Sequence, residues 1–184
     1  MKRTRSPHNL VWIDLEMTGL DPATDAIVQA AVVITDPALT VLEEYCCDVW
    51  QPPAVMDLMT PFVRDMHTKS GLIDRVAKSR TDQRAAEKHL LERISGWCDY
   101  PATLCGNSVG QDKRFLDNYM PGVARYLHYR IVDVSSLKVL LRLWYGDDAE
   151  YKKPDELKHD ALFDIHQSIA ELAFYRKRYI GPQR

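Results

Sequence analysis

The stretch Leu10-Val11-Trp12-Ile13-Asp14-Leu15-Glu16-Met17-Thr18-Gly19-Leu20-Asp21 decides how the rest of the chain is read. It opens as a buried strand, with Val11, Trp12 and Ile13 in a short apolar run, and then places two carboxylates where apolar residues belong. Side chains alternate along a strand, so Asp14 and Glu16 share one face at a spacing of roughly 6–7 Å, while Val11, Ile13 and Leu15 share the other. Two like charges at the end of an apolar strand repel each other and resist desolvation, and a divalent cation between them relieves both costs. Thr18, Gly19, Leu20, Asp21 and Pro22 then end the strand in turn chemistry. Alone, such a pair is more often a strand running out into solvent, so the metal reading requires further acids elsewhere.

Outward from this strand, residues 27–34 form a second apolar run closed by Asp36-Pro37, and residues 39–50 a third. Their short connections predict an antiparallel meander. Pro52, Pro53 and Pro61 interrupt residues 51–71, which read as a loop with helical pieces. Residues 72–78 predict a short helix. Thr81, a good N-cap, opens a longer one with Ala86, Leu90, Ile94 and Trp97 along its apolar stripe. The pattern then alternates: strand 103–105, turn 106–110, helix 111–120 stopped by Pro121, strand 129–134, and helix 135–144 with Leu137, Leu140 and Leu141 inward. Residues 146–156 are polar and acidic and read as a mobile loop. A last helix, 161–179, buries Leu162, Ile165, Ile169, Leu172 and Ala173. This succession predicts an α/β fold, a mixed five-stranded sheet with helices packed on it. No G-x-G-x-x-G follows a strand and no phosphate-binding lysine motif is present, which disfavours dinucleotide cofactors and nucleoside triphosphates.

At 184 residues the chain is expected to be one domain, 1–184, with residues 1–8 as a flexible tail. Its 46% hydrophobic and 27% charged residues are ordinary for a soluble globular protein, and a net charge of -2 argues against a long basic nucleic-acid groove. Cys46, Cys47, Cys98 and Cys105 show neither Cys-x-x-Cys nor zinc spacing, and read as reduced, mostly buried thiols of a cytosolic protein. The apolar run after the basic N-terminus is short and broken by Asp14, so neither a signal peptide nor a membrane span is expected.

Further acids stand at two helix openings. Asp112 lies just inside the helix after turn 106–110, and Asp164 at the start of the last helix, preceded by His159 and by Asp160, an N-cap acid. Singly, each reads as a favourable first-turn residue. Together, Asp14, Glu16, Asp112 and Asp164 come from a strand end and two helix starts that one sheet crevice can gather. Such a cluster calls for about four positive charges, which two Mg²⁺ or Mn²⁺ ions supply with a preference for hard oxygen ligands. Two metals ~3.5–4 Å apart suit in-line hydrolysis of a phosphodiester. His159, with an ordinary pKa of ~6.5, suits proton transfer from the attacking water.

Three motifs in order, residues 12–21, residues 105–112 and His159 through Asp164, resemble the oligoribonuclease family of DEDDh 3′-to-5′ exonucleases, which have the ribonuclease H-like fold. Similarity extends to residues 67–72, 128–130 and 133–138 and so spans nearly the whole chain. The resemblance implies a homodimeric exoribonuclease that degrades very short RNA, dinucleotides especially, to 5′-mononucleotides. It implies that Asp14 bridges both metals, Glu16 and Asp164 complete one site, Asp112 serves the other partly through water, and His159 is the general base. It further implies that Leu20 is an apolar wedge beside the terminal bases, that Phe62 and Gln111 contact substrate, and that Ser108, Ser135 and His67 help cap the 5′ end. Tyr129 and Arg130 would reach the partner subunit's site. A substrate with one or two phosphates needs few local contacts, which agrees with the weak overall charge. The chain departs from the family pattern at Gln29, commonly Glu, at Phe62, often Trp, and at Phe163, where Asp often precedes the last ligand. The competing classes are a DNA-directed exonuclease of the same superfamily and a catalytically silent RNA-binding module; the latter is disfavoured because all four acids and His159 are present.

Overall fold

The computed structural model describes residues 4–152 and 160–180. Strands β1 (Leu10–Met17), β2 (Ile27–Thr35) and β3 (Val41–Asp48) form the expected antiparallel meander. Strands β4 (Ala102–Gly106) and β5 (Leu127–Asp133) join on the other side of β1 and run parallel to it, giving a five-stranded sheet of order β3-β2-β1-β4-β5. Every residue of β2 is buried, as an apolar strand covered on both faces must be.

The alternation in β1 sorts two cores. Val11, Ile13 and Leu15 pack with Ala86, Leu90 and Ile94 of α4 (Gln83–Trp97), Phe115 and Leu116 of α5 (Gly110–Tyr119) and Val123 of α6 (Pro121–Tyr126). Trp12 faces the other way, with Val134 and Leu141 of α7 (Val134–Tyr145) and Ala161, Ile165 and Ile169 of α8 (Ala161–Tyr175). A smaller cluster, Val28, Met56, Met59, Leu72 and Val76, lies beneath α1 (Pro53–Met56), α2 (Pro61–Lys69) and α3 (Leu72–Lys78). Asp14 and Glu16 continue the Trp12 face beyond the last β1–β4 pair, Trp12 with Cys105. The strands part there, and the crevice opens at their carboxyl ends.

Several local expectations are corrected. Residues 51–71 are largely helical: Pro53 and Pro61 begin helices, because a first-turn proline loses an N–H that would be unpaired anyway. α5 stops before Pro121 as expected, and Pro121 also starts α6. Asp82 caps α4 in place of Thr81, accepting from Ala85 N at 2.7 Å. Leu39 sits in a left-handed turn at φ 72°, so β3 begins only at Val41. The expected loop 146–156 carries a 3₁₀ turn at Asp147–Ala149, where Arg142 pairs with Asp147 at 2.9 Å; residues 153–156 lie outside the described residues. The last helix passes into a π turn at Arg176–Ile180. Within the expected N-terminal tail, Ser6 bridges to Cys98, while residues 1–3 lie outside the described residues. Among the described residues no helix is long and apolar enough to cross a membrane.

Candidate active site

Ligand oxygens of Asp14, Glu16 and Asp164 lie within 4.8 Å of one another. The strand pleat supplies the first two, and the first turn of α8 supplies the third, where Asp164 N donates to Asp160 O at 2.9 Å. Asp160 caps the helix as expected, its Oδ1 accepting from Phe163 N at 3.3 Å.

Asp112 is gathered differently. It is buried in the first turn of α5, and its Oδ1 accepts from Leu15 N at 2.9 Å, filling a backbone donor position of β1 past the end of the β4 ladder. It lies outside the close group of three, yet near enough for its charge to act on Glu16. His159, immediately before Asp160, lies outside the described residues.

The site is short of positive charge. Burial first, then the neighbouring Asp164, Asp112 and Asp160, pushes Glu16 up to about 8, against a smaller opposing pull from Arg75. Burial likewise pushes Asp112 up to about 7, opposed by the Leu15 N–H bond. Protonation is the response of packed carboxylates without a counter-charge, and a divalent cation with its preference for hard oxygen donors would replace those protons. The donor set fits such an ion.

The residues expected to meet substrate are spread over several elements. Leu20, 71% exposed, projects from a turn braced by Asp25, whose Oδ1 accepts from Thr18 Oγ1 and whose Oδ2 accepts from Asp21 N, both at 3.0 Å. A Cβ on Gly19 would fall 2.4 Å from the Asp25 carboxylate, so this turn requires glycine. Gln111 reaches the same turn by donating Nε2–H to Leu20 O. Phe62 is 78% exposed on α2, whereas His67 of that helix is buried with Nε2 2.9 Å from Met17 O.

Ser108, in a left-handed conformation at φ 52°, donates its N–H to Asp133 Oδ1 at 3.0 Å and Ser135 Oγ at 2.8 Å. The two hydroxyls are 3.0 Å apart, pairing the β4–α5 turn with the start of α7. Tyr129 and Arg130 are exposed on the edge strand β5, the guanidinium 4.8 Å from the Tyr129 ring centroid. Arg75 and Asp48, which sequence reasoning passed over, join the site's rim: Arg75 Nε lies 3.2 Å from Asp48 Oδ2 and Nη2 3.4 Å from Asp160 Oδ2. Neither has a local signature; only a lone glutamine in the apolar run of β2 hinted at polar company there.

The RNase T exonuclease family model matches residues 11–172. An oligoribonuclease of Photorhabdus laumondii is 47% identical over 180 residues, covering 96% of this chain and 98% of the relative. One of Sodalis glossinidius is 45% identical over 175 residues, covering 94% and 96%. Among solved structures, exonuclease I of Methylocaldum szegediense has the same fold, with a TM-score of 0.73 at 19% identity; the match covers 94% of this chain but 41% of that larger one. With its acid-lined crevice, and with relatives alike from end to end, the chain belongs to the oligoribonuclease family of metal-dependent exoribonucleases.

Proposed function

We propose that the chain removes 5′-mononucleotides from the 3′ ends of RNA oligomers a few residues long, dinucleotides above all. The observation that carries this reading is the convergence of Asp14, Glu16 and Asp164 within 4.8 Å beside the buried Asp112. These four would hold two divalent cations, Mg²⁺ or Mn²⁺, which when bound supply charge neutralisation, an activated water and a stabilised leaving oxygen.

The chain's own groups divide the remaining work. His159, one residue before the α8 cap, would take the proton from the attacking water, a task suited to an imidazole. Leu20 would wedge against the terminal bases and Phe62 would stack on one, since both present apolar surface to solvent. Gln111 would fix the Leu20 turn against the substrate's 3′ end. The Ser108–Ser135 hydroxyl pair would cap the 5′ end, which limits the length of strand that fits, and the buried His67 would act on that end only through the Met17 carbonyl it faces.

Tyr129 and Arg130 would serve the partner's site in a homodimer. Their exposure on an edge strand, with Val139, Leu143 and Trp144 exposed on the following helix, supports a second copy of the chain as the occupant of this face. Four free cysteines with no disulfide support a cytoplasmic setting.

The test is cleavage of a 5′-labelled diribonucleotide and of a longer RNA, with Mn²⁺ or with EDTA, by wild type and Asp112→Ala. Rapid metal-dependent loss of the dinucleotide, slow attack on the longer RNA and an inactive variant are expected. A wild type that binds the dinucleotide without cutting it would move a binding role to the front.

A further inference from the structure

β2 is apolar along its length apart from Gln29 and its final Thr35, and Gln29 is only 2% exposed. A buried amide needs partners for both ends, and Gln29 has them. Its Oε1 accepts from Ala161 N at 2.8 Å, the first residue of α8, while Nε2 donates to Asp48 Oδ1 at 2.8 Å and to Asp160 Oδ2 at 3.4 Å. Arg75 spans the same two carboxylates and donates its Nη1–H to Ser70 O at 2.9 Å. Orphan N–H groups of the α8 first turn are therefore met from two directions, Ala161 by the sheet and Phe163 by Asp160. Asp164 is the next residue of that turn, and Gln29 is the cross-strand partner of Glu16. One amide thus ties the helix carrying one acid to the strand paired with another.

We propose that Gln29 is a positioning residue for the metal site, its neutral amide setting where α8 begins and hence where Asp164 stands relative to Glu16. The inference rests on the reading of those acids as cation ligands. The chemistry demands an amide as long as residue 160 is Asp. A glutamate at 29 would still accept from Ala161 N–H, but would have no proton for Asp160 or Asp48 and would set a third carboxylate against theirs. The complementary exchange, Asp160→Asn, keeps an oxygen for Phe163 N–H and so keeps the cap, but sets one amide NH₂ against another. Made together, the exchanges restore a donor facing an acceptor between 29 and 160, while the 2.8 Å bond to Asp48 stays lost and Arg75 still pairs with Asp48.

The experiment is calorimetric titration of Mn²⁺ into the substrate-free protein, with thermal melting as a check on folding, for wild type, Gln29→Glu, Asp160→Asn and the double variant. Each single variant is expected to weaken Mn²⁺ binding by about tenfold, the lower range for residues behind the ligands, and the double variant to recover part of that loss, binding more tightly than the two losses added together. Asp160→Asn preserves the cap at a partly exposed position, so it carries the test should Gln29→Glu fail to fold. Unchanged Mn²⁺ affinity in a folded single variant, or losses that simply add in the double, would overturn the positioning role. A wild type that binds no Mn²⁺ would instead overturn the metal reading beneath it.

Discussion

The two helices that deliver acids to the crevice are held in opposite ways. At α5 the carboxylate itself is bonded: Asp112 accepts from the β1 backbone, while Val109 at the N-cap contributes no side-chain bond. At α8 the helix is bonded, through Gln29, Asp160, Arg75 and Asp48. The difference separates stability from chemistry. On the α5 side one carboxylate serves both, whereas on the α8 side the acid is relieved of carrying the helix start.

The largest effect that probes this contrast is on turnover. Asp164→Ala and Asp112→Asn should each lower diribonucleotide turnover by about 10³-fold, the order expected when several kcal/mol of metal-derived stabilisation is lost. Denaturant unfolding of the metal-free proteins should then separate the two Asp112 exchanges. Asp112→Asn should stay near wild type, because an amide oxygen still accepts from Leu15 N–H. Asp112→Ala should lose about 1–3 kcal/mol through the buried donor left unpaired. Equal stability of Asp112→Asn and Asp112→Ala would remove the structural role given to the Leu15 bond.

A second effect concerns pH. Glu16, raised from 4.5 to about 8, and Asp112, raised from 3.8 to about 7, bind more protons in the folded than in the unfolded metal-free protein between those limits. Stability should therefore be greatest below the ordinary carboxylate range and fall as pH rises through about 5 to 8, by on the order of a few kcal/mol. Melting curves across that range should show the decline, and saturating Mn²⁺ or Glu16→Gln should flatten it. A metal-free protein whose melting point rises across the same window would contradict the charge balance described for the crevice.

The smallest effect is expected where the turn before α5 meets the start of α7. Ser135→Ala removes one acceptor of Ser108 N–H while Asp133 Oδ1 retains the other. KM for the dinucleotide should rise by about 2- to 10-fold with kcat little changed, the worth of one hydrogen bond. A fall in kcat with KM unaltered would give the hydroxyl a different task.

The legibility of the molecule follows the range of the forces involved. The meander, the two faces of β1 and the Asp160 cap were readable because alternation and capping are local chemistry, expressed within a few residues. Pro53 and Pro61 misled because a proline that breaks one helix can begin another, and only the chain direction after it decides which. The acids were recognisable as a set through their motifs. Their unequal geometry was not: Asp112 is drawn to Leu15, 97 positions earlier, and no pattern around residue 112 announces that bond.

By itself the sequence determined the strand order of the meander, the longer helices, the family and the inventory of acids, since periodicity, turn chemistry and motif spacing are properties of the linear chain. The tertiary structure decided which carboxylates meet within 4.8 Å, which one bonds to the backbone instead, and how Gln29 and Arg75 brace the helix start. These are long-range outcomes of packing helices onto both faces of a sheet, where burial turns an ordinary polar residue into one whose every hydrogen bond must be satisfied.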